Sequence, residues 1–533
     1  MKKIISKLSL VALALTTTMT FAQVDKSDWE GGFPEGCTSI TVGKLASFDG
    51  SVITSHTDDS HRTRSWMDVV PAKKHKKGAM SPMFKRVANN DFAMPTYEHK
   101  PIGGIPQVEH TFKFMNTAYP CINEHQLAMG ESTFGGREEL QSDAGLIDCQ
   151  RLNQLMLERC TTARQAIQMA GELLKEYGWN DAGEALTIAD KNEVWHLEIV
   201  GPGKGKVGAV WVAQRVPDDH ISCNVNASTI KEINLEDKDH FMASENVFEV
   251  AKENGWWNPE DGEFRFCYAY APESRTSLAA RRREWRIFDL LAPSLKLDPY
   301  AENYPFSVKP DEKVTLEKLV TVFQDYYEDT PFDMTKDMLV KGEDGKAVKS
   351  PLANPNLPYE ANKLHKINGG WGWRGERTIA RWYTMYATII QCRDWLPDNI
   401  GGVVWLAQDN AMTSVYVPFY CGIDDMPVSY KTPGRPNGYT QESAWWAFNR
   451  MSTLVSQRWG DARHDVEAVF GPMQKELFAN QKNIEAEALE LFKKNPKKGN
   501  AFLQEYSFKH ANKAVKEAWK LGDLFWTKYD ELF

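Results

Sequence analysis

The chain has 533 residues, 42% of them hydrophobic, which is long enough and apolar enough to bury a large core. Lys and Arg number 63 against 72 Asp and Glu, and the net charge of −9 argues against nucleic acid or an anionic membrane as a partner. At the start, Met1 to Ala22 reads as a secretory signal peptide, with Lys2, Lys3 and Lys7 ahead of the apolar run Leu8 to Leu15. Thr20-Phe21-Ala22 supplies the cleavage site. That run is too short to span a bilayer, and no later segment is long enough either. The expected location is therefore periplasmic or secreted, with no membrane association after signal cleavage. Gln23 to Gly36, acidic and Gly-rich, reads as a propeptide.

The stretch Cys37 to Ser60, CTSITVGKLASFDGSVITSHTDDS, alternates small or apolar with polar residues and turns at Asp49-Gly50. Strand, turn, strand is the structure this pattern predicts. Cleavage before Cys37 would place a thiol nucleophile beside its own freed α-amine. A thiol titrates near ~8.5 and an α-amine near ~7.7–8.0, so the pair suits covalent catalysis near neutral pH. In the uncut chain that nitrogen is an amide with no useful basicity. The bland alternative is a small buried residue on a strand, the usual fate of a cysteine. Within the same stretch, His56, Asp58, Asp59 and His61 form a polar cluster that offers metal ligands, although not at HExxH spacing. The eight cysteines follow no framework spacing and contain no CxxC pair, so few disulfides are expected.

Further along, INEHQLAMGEST predicts a hairpin turned over Asn123 to Gln126, with Leu127 to Thr133 returning. Leu146 to Tyr177 has helical apolar spacing broken at Thr161-Thr162. Ala185 to Val200 is a hairpin by alternation, and the Gly/Lys-rich Gly201 to Gly208 is a hairpin loop, since it lacks the ending of a phosphate loop. Two more strands follow before Ile230. Ser274 to Leu291 predicts a helix with a basic face at Arg281, Arg282 and Arg283, a run that is ordinarily solvated but can equally reach a site. Ala380 to Tyr420 again reads as strands. From about Gln441 the chain is helical, with a loop expected over Asn495 to Asn500.

Taken together, GCTSITVGKLASFDGSVITSHTDD, INEHQLAMGESTFGGR, LTIADKNEVWHLEIVG, RVPDDHISCNVNASTI and SVYVPFYCGI resemble secreted cysteine dipeptidases of the N-terminal-nucleophile (Ntn) hydrolase superfamily. Their relatives are the secernins and, more distantly, penicillin V acylase and bile-salt hydrolases. The resemblance implies an α+β fold, a four-layer αββα sandwich over residues 37–435, with residues 436–533 as a helical C-terminal region. It implies Cys37 as nucleophile and Asp58 as the carboxylate orienting its amine. Asn226 would polarise the substrate carbonyl, Thr133 would flank the oxyanion hole, and Arg283 would be a catalytic arginine. Ser55-His56-Thr57-Asp58 lacks the basic residue that distant relatives carry. The acidic cluster suggests that Asp58 or Asp59 lies near a substrate ammonium, with Asp59 as a substrate-binding residue. The function expected is hydrolysis of small peptides through an acyl-thioester on Cys37, needing no metal or other cofactor. A non-peptide amidase, a metal-dependent hydrolase at the His/Asp cluster and a non-catalytic binding protein remain open as alternatives, as does assembly into a homo-oligomer.

Overall fold

Alternation rather than helical periodicity governs the chain as far as Tyr420, and it folds mainly as strands. The computed structural model describes residues 36–89, 96–333, 335–355 and 377–532. The expected signal peptide, and all of the expected propeptide but Gly36, lie outside the described residues. In chain order the strands are β1 (Gly36–Val42), β2 (Val52–Asp59), β3 (Asp68–Val70), the pair β4 (Met80–Asn89) and β5 (Thr96–Pro106), β6 (Phe114–Asn116), β7 (Ile122–Asn123) and β8 (Ala128–Gly135). Helices α1 (Cys149–Arg159) and α2 (Ala163–Tyr177) follow. Next come β9 (Gly183–Ala189), β10 (Val194–Val200), β11 (Val210–Arg215), β12 (Ile221–Asn224) and β13 (Phe241–Ala243), then helix α3 (Leu278–Leu291) and β14 (Ser307–Val308). After β15 (Thr384–Cys392), β16 (Val403–Gln408) and β17 (Val417–Tyr420), three helices close the chain: α4 (Ala444–Gln457), α5 (Trp459–Lys494) and α6 (Pro496–Lys528).

The strands assort into two large antiparallel sheets. One runs β14-β12-β1-β2-β15-β16-β17, the other β13-β11-β10-β9-β8-β7-β6-β3. Strands β1 and β2 of the first lie against β8 and β9 of the second, while α2 packs on β9 and β10 and α6 on β17. Each sheet is covered on both faces, which is why β1, β2, β9, β10, β15 and β16 are buried along their whole length, polar residues included. The sheets come close together at Gly130. A Cβ there would sit 2.5 Å from the Ser55 carbonyl oxygen and 2.7 Å from Thr187 Oγ1, so only glycine fits.

Local chemistry sets the breaks. The Asp148 side chain caps α1 and Thr162 caps α2, each accepting from a backbone N–H three residues on, which explains the interruption read at Thr161-Thr162. The loop expected over Asn495 to Asn500 contracts to a single residue. Pro496 occupies the first helical position of α6, where its missing N–H costs nothing, and the Asn495 side chain accepts from Lys497 N. A second proline, Pro472, lies inside α5 without ending it.

Candidate active site

Cys37 is the second residue of β1 and pairs across the ladder with Asp58 of β2. Its side chain is 4% exposed and lines a cleft of about 320 Å³, shared with Asp58, Thr63, Tyr119, Thr133 and Glu184. The thiol donates to Glu131 Oε1 at 2.8 Å. Burial first, then the charges of Glu131 and Asp58, pushes the thiol well above its ordinary pKa. At neutral pH it is therefore protonated, and it becomes a nucleophile only when a neighbouring base takes the proton.

Glu131 is itself held between two partners. His56 Nε2 lies 3.2 Å from the same Oε1, and Tyr386 Oη lies 3.3 Å from His56 Nδ1. Burial works to raise the Glu131 carboxyl. The hydrogen bond and charge of His56, with the Cys37 thiol, outweigh it and keep Glu131 below the usual carboxylate range.

The Cys37 nitrogen donates to Asn226 Oδ1 at 3.1 Å. Asn226 follows β12 in the left-handed region, φ 61°, a conformation that asparagine tolerates better than most residues. Its own N–H donates to Ser132 Oγ at 2.8 Å and its Nδ2 to the Thr133 carbonyl at 2.7 Å. One sheet thereby fixes the amide that touches the nucleophile of the other. One Nδ2 hydrogen remains beyond the bond to Thr133.

Of the three consecutive arginines on α3, Arg283 reaches this point. It is fully buried, and Nη1 donates to the Cys37 carbonyl at 2.8 Å and to Thr38 Oγ1 at 3.0 Å. Nη2 donates to the Val225 carbonyl and, at 2.9 Å, to Asn226 Oδ1. Burial and then the nearby Arg377 push its guanidinium down to about 9, still charged at neutral pH. Arg282 instead lies over the Tyr300 and Phe332 rings, and Arg281 donates to the Tyr300 and Ala301 carbonyls. Successive helical residues point about 100° apart, so one basic run serves three environments.

Arg377 adds a second cation, donating to Asn226 Oδ1 at 3.2 Å and pairing with Asp59. The other Asp59 oxygen accepts from Thr384 Oγ1 at 2.6 Å. Asp58 Oδ2 accepts from Thr63 Oγ1 at 2.6 Å. Thr133 Oγ1 donates to Glu184 Oε1 at 2.7 Å. The structure thus gathers Cys37, Asp58, Asp59, Thr133, Asn226 and Arg283 around one cleft, in partnerships that differ from those expected. The hydrogen bond at the Cys37 nitrogen goes to Asn226, and Asp59 holds an arginine with a carboxylate whose two oxygens are both engaged. Gly36 sits at the same crossing, where a Cβ would collide with Arg377 and Asn226. The His56-Asp58-Asp59-His61 set does not converge as a ligand set. His61 stacks on Tyr383 with ring centroids 4.6 Å apart, whereas His56 bonds Glu131. Among the described residues, the groups that bring three ligand atoms within 4.8 Å are Cys37/His56/Glu131 and Glu131/Cys149/Glu184. All eight cysteines are buried and free.

The sequence profile of peptidase family C69 matches residues 36–471, beginning one residue before Cys37. The chain belongs to peptidase family C69. Its relatives include a "Probable dipeptidase" of Latilactobacillus sakei, 25% identical over 80% of this chain and 82% of that protein. A "Probable dipeptidase B" of Streptococcus pyogenes serotype M1 is 23% identical over 96% of this chain and 95% of its own. A "Probable dipeptidase" of Salmonella dublin is 24% identical over 77% and 88%. The protein is accordingly a hydrolase of peptide bonds.

Three residues around this peptidase's nucleophile were not among the site residues expected from sequence: Glu131, Glu184 and Arg377. For the two glutamates a signal was present, since each interrupts an otherwise small or apolar strand at an inward position. Arg377 precedes β15 by a few residues in a Gly- and Arg-rich stretch and has no pattern to mark it.

Proposed function

We propose that this peptidase is an exported dipeptidase that works through an acyl-thioester on Cys37, after cleavage of the Gly36–Cys37 bond frees its α-amine. The observation that carries the proposal is the pairing of a cleft-lining thiol with a backbone nitrogen held on Asn226. The two facing sheets with helices packed on each are read here as the αββα sandwich of the Ntn hydrolases. The high thiol pKa means that a base must act in concert with attack. Glu131, which the thiol already contacts, is held below the carboxylate range and is too weak, so the freed amine of the same residue takes the role. Arg283, bonded to the Cys37 carbonyl, opposes the ammonium form of that amine, while the nearby carboxylates of Glu131, Asp58 and Asp59 favour it.

In the reaction, the amine takes the thiol proton while sulfur bonds to the scissile carbonyl carbon. The remaining Asn226 Nδ2 hydrogen is available to the oxyanion, a contribution worth roughly 3–4 kcal/mol for one such donor. Collapse breaks the C–N bond, and the α-ammonium returns its proton to the leaving amine. Water then attacks the thioester, giving a carboxylic acid and the thiol.

Intact mass and N-terminal sequencing of the purified protein test this reading. Active enzyme should begin at Cys37, and Cys37→Ala should retain residues 23–36 and lose hydrolysis. Active enzyme that still carries those residues refutes the mechanism. Loss of activity in EDTA, restored by zinc, would replace it with a metal-dependent one.

A further inference from the structure

Two carboxyl groups meet at the cleft wall, and each has one buried oxygen that no other group bonds: Glu131 Oε2 and Glu184 Oε2. Glu184, on β9, is 1% exposed and lines the cleft beside Cys37 and Thr133. Its Oε1 accepts from Thr133, and its carboxyl hydrogen-bonds that of Glu131. Buried polar atoms are nearly always satisfied, and here a proton held between the two glutamates satisfies them until a cation from the cleft replaces it. The other acids of the cleft have bonds of their own. Asp59 holds Arg377 and Thr384, and Asp58 accepts from Thr63. Asp181 accepts from Arg86 at 2.6 Å and from the Cys149 and Ala182 nitrogens.

We propose that Glu184 anchors the α-ammonium of the substrate, so that the site measures one residue from the free amine to the thiol. The inference rests on the dipeptidase reading above and names the group that would make the enzyme require a free amine. The distances suit it. The Cys37 thiol lies 2.8 Å from Glu131 Oε1, and a Glu131 carboxylate oxygen lies within 4.8 Å of one of Glu184. In an aminoacyl group the amine nitrogen lies about 2.5 Å from the carbonyl carbon, given N–Cα and Cα–C bonds of about 1.5 Å each. A thiol approaches that carbon at about 3 Å. An ammonium hydrogen bond to Glu184 adds about 2.8 Å. The two separations through Glu131 bound how far the thiol lies from Glu184, and a second residue between amine and scissile bond would overshoot that bound.

Electrostatics point the same way. Burial first, then Glu131 and Asp181, raises the Glu184 carboxyl well above its ordinary value, so the empty site holds it neutral. A cation entering against Oε2 reverses the preference, and the carboxyl ionises to meet it. An acylated amine offers no charge and leaves the proton between the two glutamates in place. Asp58 and Asp59, expected near the ammonium from sequence, are engaged instead by Thr63 and by Arg377 and Thr384.

The test compares L-alanine 4-nitroanilide with its N-acetyl derivative on the mature wild type and on Glu184→Gln. Wild type should favour the free amine. Glu184→Gln should lower kcat/KM for it by about ten- to a hundredfold, mainly through KM, as expected for a lost charge-assisted hydrogen bond. The ratio between the two substrates should collapse toward one. An unchanged ratio in Glu184→Gln, or equal wild-type rates on both, overturns the anchor while leaving the peptidase intact. Inability of wild type to cut alanyl-alanine would instead refute the dipeptidase reading. Should Glu184→Gln not fold, alkylation of wild-type Cys37 by iodoacetamide decides. L-alaninamide should protect it and N-acetyl-L-alaninamide should not, and equal protection overturns the inference.

Discussion

At the scale of single residues, the site is built from charges that restrain the nucleophile. Cys37 donates to a carboxylate, and that carboxylate is kept ionised by His56. A negative charge at 2.8 Å favours the thiol over the thiolate, since at an effective dielectric near 20 an ion pair at about 4 Å is worth about 4 kcal/mol. Glu131→Gln removes that charge and keeps the shape. The thiol pKa should fall, and iodoacetamide should label Cys37 about tenfold faster or more at pH 8, since each pKa unit changes the thiolate population about tenfold. Mass mapping of the Cys37 peptide against time measures this. A labelling rate equal to wild type would show that Glu131 does not restrain the thiol. The site residues that sequence could reach share one trait: they stand next to a recognisable neighbour. Cys37 follows a glycine and precedes two hydroxyls, and Asn226 sits in CNVNAST. Glu131, Glu184 and Arg377 act through partners 50 or more residues away, and no local pattern encodes such a meeting.

Among the elements, the strands were legible because small or apolar residues alternate with polar ones along them even where both faces are buried, and the hairpins β7/β8 and β9/β10 turn where their polar residues cluster. The arginine run on α3 was ambiguous for a physical reason. Charge alone does not say whether a helix face meets water or meets carbonyl groups, and Arg283 meets carbonyls. That the C-terminal helices pack on the strand layers was legible, but not where, because their seat includes a buried ion pair between distant segments. Arg393, just after β15, pairs with Glu485 of α5 at 2.7 Å, and both are nearly inaccessible. Arg393 also donates to the Ile400 and Gly401 carbonyls, while Gln481 and Tyr420 reach the other Glu485 oxygen. Removing one member of such a pair strands the other in a low dielectric. Glu485→Leu should therefore cost about 3–5 kcal/mol in unfolding free energy, read by chemical denaturation. Arg393→Met combined with Glu485→Leu should recover much of that loss. A single substitution as stable as wild type would mean that the pair contributes nothing to docking the helix.

For the whole molecule, the two sheets are joined through polar contacts as well as apolar ones, and this sets a pH dependence. His196 of β10 lies 2.9 Å through Nε2 from Thr41 Oγ1 of β1, across the interface between the sheets. Burial drives its pKa down to about 3. In the unfolded chain the same ring titrates near ~6.5, so it is the unfolded state that takes up a proton first as pH falls. The folded pKa is depressed. Its contribution is therefore present above about pH 6.5 and is lost progressively as pH falls toward 3. For one such group the loss between pH 7 and pH 5 is about 2 kcal/mol. Asp409 acts in the opposite sense. Burial raises it to about 6, so its contribution is present below the ordinary carboxylate range and is lost as pH rises through 6. Raw stability curves mix these terms, and Glu184 adds another of the same sign as Asp409. A difference curve isolates the histidine, because the carboxylates are common to both proteins. His196→Gln keeps a group able to bond Thr41 but cannot titrate. Whatever the substitution costs at pH 7, the gap between wild type and variant should shift by about 2 kcal/mol in favour of the variant by pH 5. Urea denaturation at the two pH values measures the gap. A gap that stays constant would mean that His196 takes up its proton in the folded protein as readily as in the unfolded chain, and that the sheets part enough to let water reach it.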